Sequence, residues 1–163
     1  MNVMLAVLPL AILYIIERLL AQDLLFLVWV NAIFFILIFP HPTYLFFEAK
    51  HLTPYGGGSG LPSPADIIVF GLLSVLGLVL QIWTNLYLLY LLNLQVHAII
   101  PVIIMSLLAS MGGCLGLTDL VWLQGIWPPI MFKHLKMVIG NKKMMILLLA
   151  TTIFLTLLTL LFI

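Results

Sequence analysis

The chain predicts an all-α fold, a polytopic transmembrane helix bundle of about five spans, with its N-terminus inside and its C-terminus outside. Three observations carry that prediction. Hydrophobic residues occupy 65% of the 163 positions and charged residues 7%, at a mean hydropathy of +1.33, which is far more apolar than a water-facing surface tolerates. Apolar runs of bilayer length recur along the chain. Four of the six Lys and Arg residues fall between the last two of those runs, which orients the bundle.

A hydrocarbon core about 30 Å thick takes roughly 20 helical residues at about 1.5 Å of rise each. That length places spans at about 3–20, 23–39, 66–93, 96–118 and 144–163, within a single transmembrane domain, 1–163. The first has no basic leader and no small-residue cleavage site ahead of Glu17, Arg18, Gln22 and Asp23, so it reads as a retained span. Almost nothing joins it to the second. The two therefore form an antiparallel hairpin, with Glu17, Arg18 and Asp23 at its turn and Glu17 free to pair with Arg18.

Residues 40–65 hold five of the nine prolines and four glycines, a composition that predicts the one long loop. Within it "YLFFEAK" reads as a short interfacial helix. The third segment is longer than an untilted span requires and must tilt or project. Pro64 and Asp66 suit its start, because a carboxylate favours the unpaired amides of a helix N-terminus. The fourth carries Pro101 near its start and "SMGGCLG" near its end, where small residues permit close helix approach. A packing face is the favoured reading of that stretch. Cys114, the single cysteine, lies in an apolar run and reads as a small buried hydrophobe rather than a reactive thiol.

Lys133, Lys136, Lys142 and Lys143 put the loop between the fourth and fifth spans in the cytoplasm, or in the matrix of a mitochondrion. The same rule puts the 40–65 loop inside. Trp122 and Trp127 suit the headgroup region, and the lysines beyond them reach phosphates. Pro128 and Pro129 stop any helix at that level. These six residues, Trp122, Trp127, Lys133, Lys136, Lys142 and Lys143, thus read as an interface or lipid-contact collar.

Chemistry requires polar groups converging in a protected place, and a span that carries such groups is where to look. Gln81, Thr84, Asn85 and Asn93 line the third span, where Gln81 and Asn85 share a face at i, i+4 spacing, and Asn31 lies within the second. Interhelical hydrogen bonding is favoured over a substrate path. His97 near a helix start and Asp119 near a helix end are candidate polar or proton contacts, and neither has a catalytic partner in sequence. His41, Glu48 and His51 share a loop at a spacing that matches no common metal site. No Gly-Lys-Ser/Thr phosphate loop and no Gly-x-Ser-x-Gly elbow occurs. A formal net charge of +1 offers no basic face for nucleic acid. No cofactor is predicted, and a non-catalytic role is favoured over an enzymatic one.

"GIWPPIMFK", followed by Lys142 and a terminal apolar helix, resembles the Gly-Leu-Pro-Pro-to-Lys segment near the end of the antiporter-like membrane-arm subunits of respiratory complex I. Gly125, Pro128, Pro129 and Lys133 are the matching positions. "LLFLVWVNA", residues 24–32, is similar to the second span of the small five-helix membrane-arm subunit of that complex. The resemblance implies a hydrophobic subunit of a respiratory complex, partnered by other membrane subunits and phospholipids, in the mitochondrial inner membrane or otherwise a prokaryotic plasma membrane. The spans lack the embedded lysines and glutamate of the antiporter-like subunits, so the role implied is structural. "IWPPIMF" also resembles the Trp-Pro-Pro segment of the translocator-protein family, which implies the alternative of a five-helix binder of a porphyrin or sterol. A lipid-modifying enzyme is the third reading.

Overall fold

The computed structural model describes residues 2–47, 63–94, 98–118 and 128–163. Its described elements are helices: α1 (Asn2–Leu20), α2 (Leu25–Ile38), α3 (His41–Phe46), α4 (Pro64–Leu91), α5 (Ile99–Gly116), α6 (Pro128–Gly140) and α7 (Lys142–Leu160). Among the described residues, five stretches are long and apolar enough to cross a membrane, namely Val3–Leu20, Leu25–Phe46, Pro64–Leu91, Ile99–Gly116 and Lys142–Leu160.

Local chemistry explains the boundaries. Asp23 adopts φ 56° and Asn93 φ 53°, left-handed conformations that Asp and Asn tolerate better than most residues and that end α1 and α4. Ser63 caps α4 reciprocally with Asp66: its hydroxyl accepts from the Asp66 amide at 3.2 Å, and its own amide donates to the Asp66 carboxylate at 3.0 Å. Asn141 caps α7 by accepting from the amides of Lys143 and Met144. Pro101 falls in the first turn of α5, where a missing N–H leaves no intrahelical bond unmade.

Two boundaries differ from the sequence-based expectation. Within the stretch expected as a loop with a short helix at 44–50, residues 41–46 are helical and extend the second span to Phe46. Pro40 and Pro42 permit this because they flank the first turn of a new helical segment, where proline is tolerated. Pro128 and Pro129, expected to stop a helix, instead begin α6, for the same reason. At 28 residues α4 is about 42 Å long at about 1.5 Å per residue. Its first turns leave Ile67, Ile68, Val69 and Leu72 exposed.

Side-chain contacts fix the helix directions. Glu17, near the end of α1, meets Tyr87 near the end of α4. Asn85 of α4 meets Thr159 near the end of α7. These three helices therefore run parallel. Cys114, close to the end of α5, packs in one cluster with Leu148 in the first half of α7, while Ala98 and Val102 at the start of α5 share a cluster with Leu155 and Leu160. Hence α5 is antiparallel to α7, and the start of α1 and the end of α7 lie at opposite ends of the bundle.

The main core joins Leu13 and Ile16 of α1, Phe35 of α2, Leu89 of α4, Val102 and Ala109 of α5 and Leu155 of α7. Along α5 the buried positions 102, 105, 106, 109, 110, 113 and 114 follow the three-four spacing of one helix face. Short α3 is largely buried in the bundle, with Pro42, Thr43 and Leu45 covered. It is seated by glycines: a Cβ on Gly77 of α4 would come within 2.6 Å of the Phe46 nitrogen and the Pro42 oxygen. On α5, a Cβ on Gly112 would strike Pro40, one on Gly113 would strike Phe47, and one on Gly116 would strike Tyr44. The small residues of "SMGGCLG" thus provide the close approach expected of them.

Candidate functional site

Seating α3 at the centre of the bundle brings Thr43 against the polar face of α4. The Thr43 hydroxyl donates to Gln81 Oε1 at 2.9 Å. Gln81 Nε2 donates to Asn85 Oδ1 at 3.0 Å, and Asn85 Nδ2 donates to the Thr159 hydroxyl at 3.2 Å. Gln81, Asn85 and Thr159 are fully buried, and Thr43 is 1% exposed. Every donor points the same way along this chain, so each bond polarises the next. Three helices, α3, α4 and α7, are tied by it.

Such a relay is costly to bury unless its members satisfy one another. In an apolar surround, breaking one link orphans two groups. The arrangement carries no formal charge, because amide and hydroxyl groups are neutral near pH 7. What it does chemically is lock helices in register.

A second seam of hydroxyls lies between α5 and α7. Thr151 and Thr152 bond to carbonyls of their own helix, Thr151 to those of Leu147 and Leu148 and Thr152 to that of Leu148. Ser106 Oγ, Ser110 Oγ and Thr156 Oγ1 are buried without a hydrogen-bond partner among the described residues. Small hydroxyl side chains of this kind also let two helices approach closely.

The first hairpin is pinned differently from the expectation. Arg18 turns back along α1, donating to the Tyr14 hydroxyl at 3.0 and 2.8 Å and lying 5.0 Å above its ring. Glu17 is left to accept from the Tyr87 hydroxyl of α4. The tie is thus between helices rather than between sequence neighbours. Tyr87→Phe should lower the unfolding free energy by about 1 to 2 kcal/mol, as expected when a hydrogen bond to a charged group is lost. Unfolding in mixed micelles followed by helix ellipticity would read this; an unchanged midpoint would show that the bond contributes nothing.

Of the remaining sequence candidates, Asn31 does not cross to a neighbour, since its amide donates to the Leu27 carbonyl of its own helix at 2.9 Å. Thr84 likewise bonds the Leu80 carbonyl. Lys133, Lys136, Lys142 and Lys143 are exposed at the bundle end where α6 meets α7. His97, Asp119, Trp122 and Trp127 lie outside the described residues, as do Glu48 and His51. His41 Nδ1 lies 3.2 Å from the Ile38 carbonyl, and His134 Nδ1 is 2.7 Å from the Thr118 hydroxyl. Among the described residues no group of three or more His, Cys, Asp or Glu side chains is placed to hold a metal ion. Cys114 is fully buried with Phe47, Val138 and Leu148.

Thr43 and Thr159 are the members of the relay that sequence reasoning missed. Thr43 sat in a segment read as loop, and Thr159 is one of several threonines on an apolar helix with nothing local to distinguish it. Together the fold and its interior define a class: a helical bundle with, among the described residues, five helical stretches of membrane-crossing length, tied by a neutral polar relay. Compared with family models, curated proteins and solved structures, the chain has no match.

Proposed function

We propose that the chain is a small hydrophobic integral-membrane subunit of a larger membrane complex, a respiratory one, in which its role is structural. The observation that carries this reading is the division of labour between inside and outside. The central polar groups are bonded to one another across three helices. The outward faces are apolar: between 17% and 39% of the most apolar stretch of each span is buried within the chain, and every span presents exposed large apolar side chains to lipid or to neighbouring helices. On α2 that outward face includes Phe26, Trp29, Ile33, Phe34, Ile36 and Leu37. A chain that fills and seals lipid-embedded volume needs this distribution, and it needs no buried ionisable group.

In this reading the membrane is the mitochondrial inner membrane, with the lysine-bearing end in the matrix, or otherwise a prokaryotic plasma membrane, with that end in the cytoplasm, and other membrane subunits cover part of the apolar exterior. The resemblance of "GIWPPIMFK" and "LLFLVWVNA" to complex I membrane-arm segments supports the choice of complex. A ligand-binding role is separated by a thermal melt of the purified chain in mild detergent with protoporphyrin or cholesterol added. The subunit reading expects no saturable rise in Tm. A saturable rise, which mass action requires of any ligand bound only by the folded state, would contradict it.

A further inference from the structure

The four lysines sit in an arrangement that a plain solvated surface does not require. On α6 the positions 131, 134, 135 and 138 turn towards the bundle, Val138 being fully buried and packed with Cys114 and Leu148. Pro129, Phe132, Lys133 and Lys136 recur at i, i+3, i+4 and i+7 and line an open cleft of about 300 Å³. Exposed apolar residues neighbour the two lysines along the helix, with Phe132 56%, Met137 50% and Ile139 59% exposed. A few residues on, Lys142 and Lys143 open α7, at the positive end of its dipole, where cations are disfavoured. Among the described residues this end carries four lysines against the single carboxylate of Asp66, which is engaged with Ser63.

Basic side chains interleaved with exposed apolar ones, at the ends of span-length helices, complement a ligand that is anionic at its head and apolar in its body. We infer that the α6 cleft seats the headgroup of an anionic phospholipid, its phosphate between Lys133 and Lys136 and its acyl chains beside Phe132 and the neighbouring spans. Lys142 and Lys143 add attraction to the same leaflet without lining the cleft. The inference rests on the membrane-spanning part of the proposed function and is independent of assembly into a complex.

The full chain reconstituted in phosphatidylcholine vesicles, with spin-labelled phosphatidylglycerol or phosphatidylcholine as probe, tests it by the ratio of the two lipids at the protein boundary. The wild type should prefer the phosphatidylglycerol probe several-fold. Lys133→Gln with Lys136→Gln should remove most of the preference at unchanged helix ellipticity, whereas Lys142→Gln with Lys143→Gln should keep most of it. A wild type without preference would overturn the inference and point to an acidic protein surface as the occupant of the cleft. A preference that survives the cleft pair, or that falls equally for both pairs, would overturn it too. None of these results depends on whether a complex is found.

Discussion

Gly77→Ala should cost about 3 kcal/mol or more of unfolding free energy, the upper end of what overpacking a core produces. The added methyl would lie 2.6 Å from both the Phe46 nitrogen and the Pro42 oxygen. Those are backbone atoms, so no rotamer change relieves the contact and α3 as a whole must shift. The shift would also carry Thr43 away from Gln81, adding the loss of a buried hydrogen bond. Gly71→Ala in the same helix is the control, because a Cβ there meets nothing within 4 Å; it should be neutral or slightly stabilising, as alanine favours a helix interior. Equal midpoints for the two variants in mixed-micelle unfolding would show that α3 is not seated as described.

Gln81→Ala should cost about 3 kcal/mol, combining the void left by a fully buried side chain with the two partners it orphans. The Thr43 hydroxyl loses its acceptor and Asn85 Oδ1 loses its donor. Asn31→Ala provides the contrast. Asn31 also carries an amide within a span, but it bonds to the Leu27 carbonyl one turn back, so its removal orphans no side chain on another helix and should cost no more than about 0.5 kcal/mol. A Gln81→Ala variant as stable as Asn31→Ala would mean that the relay does not hold α3, α4 and α7 together.

The contrast between Gln81 and Asn31 marks how far the sequence could be read. Hydropathy and length located the helices of membrane-crossing size, because transfer energetics act on composition over about 20 residues and need no tertiary information. The i, i+4 spacing showed that Gln81 and Asn85 share a face, since helix geometry alone decides this. Which residues complete their bonding was not legible. Thr43 reaches Gln81 only because Gly77, Gly112 and Gly113, distant in sequence, open a seat for α3.

The prolines misled for a related reason. Pro40, Pro42, Pro128 and Pro129 have the same local meaning at a helix end and at a helix start, and only the following packing distinguishes them. For α3 that packing is the glycine seat, and for α6 it is Val138 against Cys114 and Leu148. Adjacency in sequence also suggested a Glu17 and Arg18 pair, whereas Arg18 bonds Tyr14 one turn back on α1 and Glu17 meets Tyr87 only because α1 and α4 lie side by side.

The central claim is that this chain works as a docked subunit whose polar interior is structural. A blue-native gel of gently solubilised source membrane, with the chain located by mass spectrometry, tests it most directly. The account predicts co-migration with a large respiratory complex. Migration alone, at the size of a monomer or a small homo-oligomer, would contradict it.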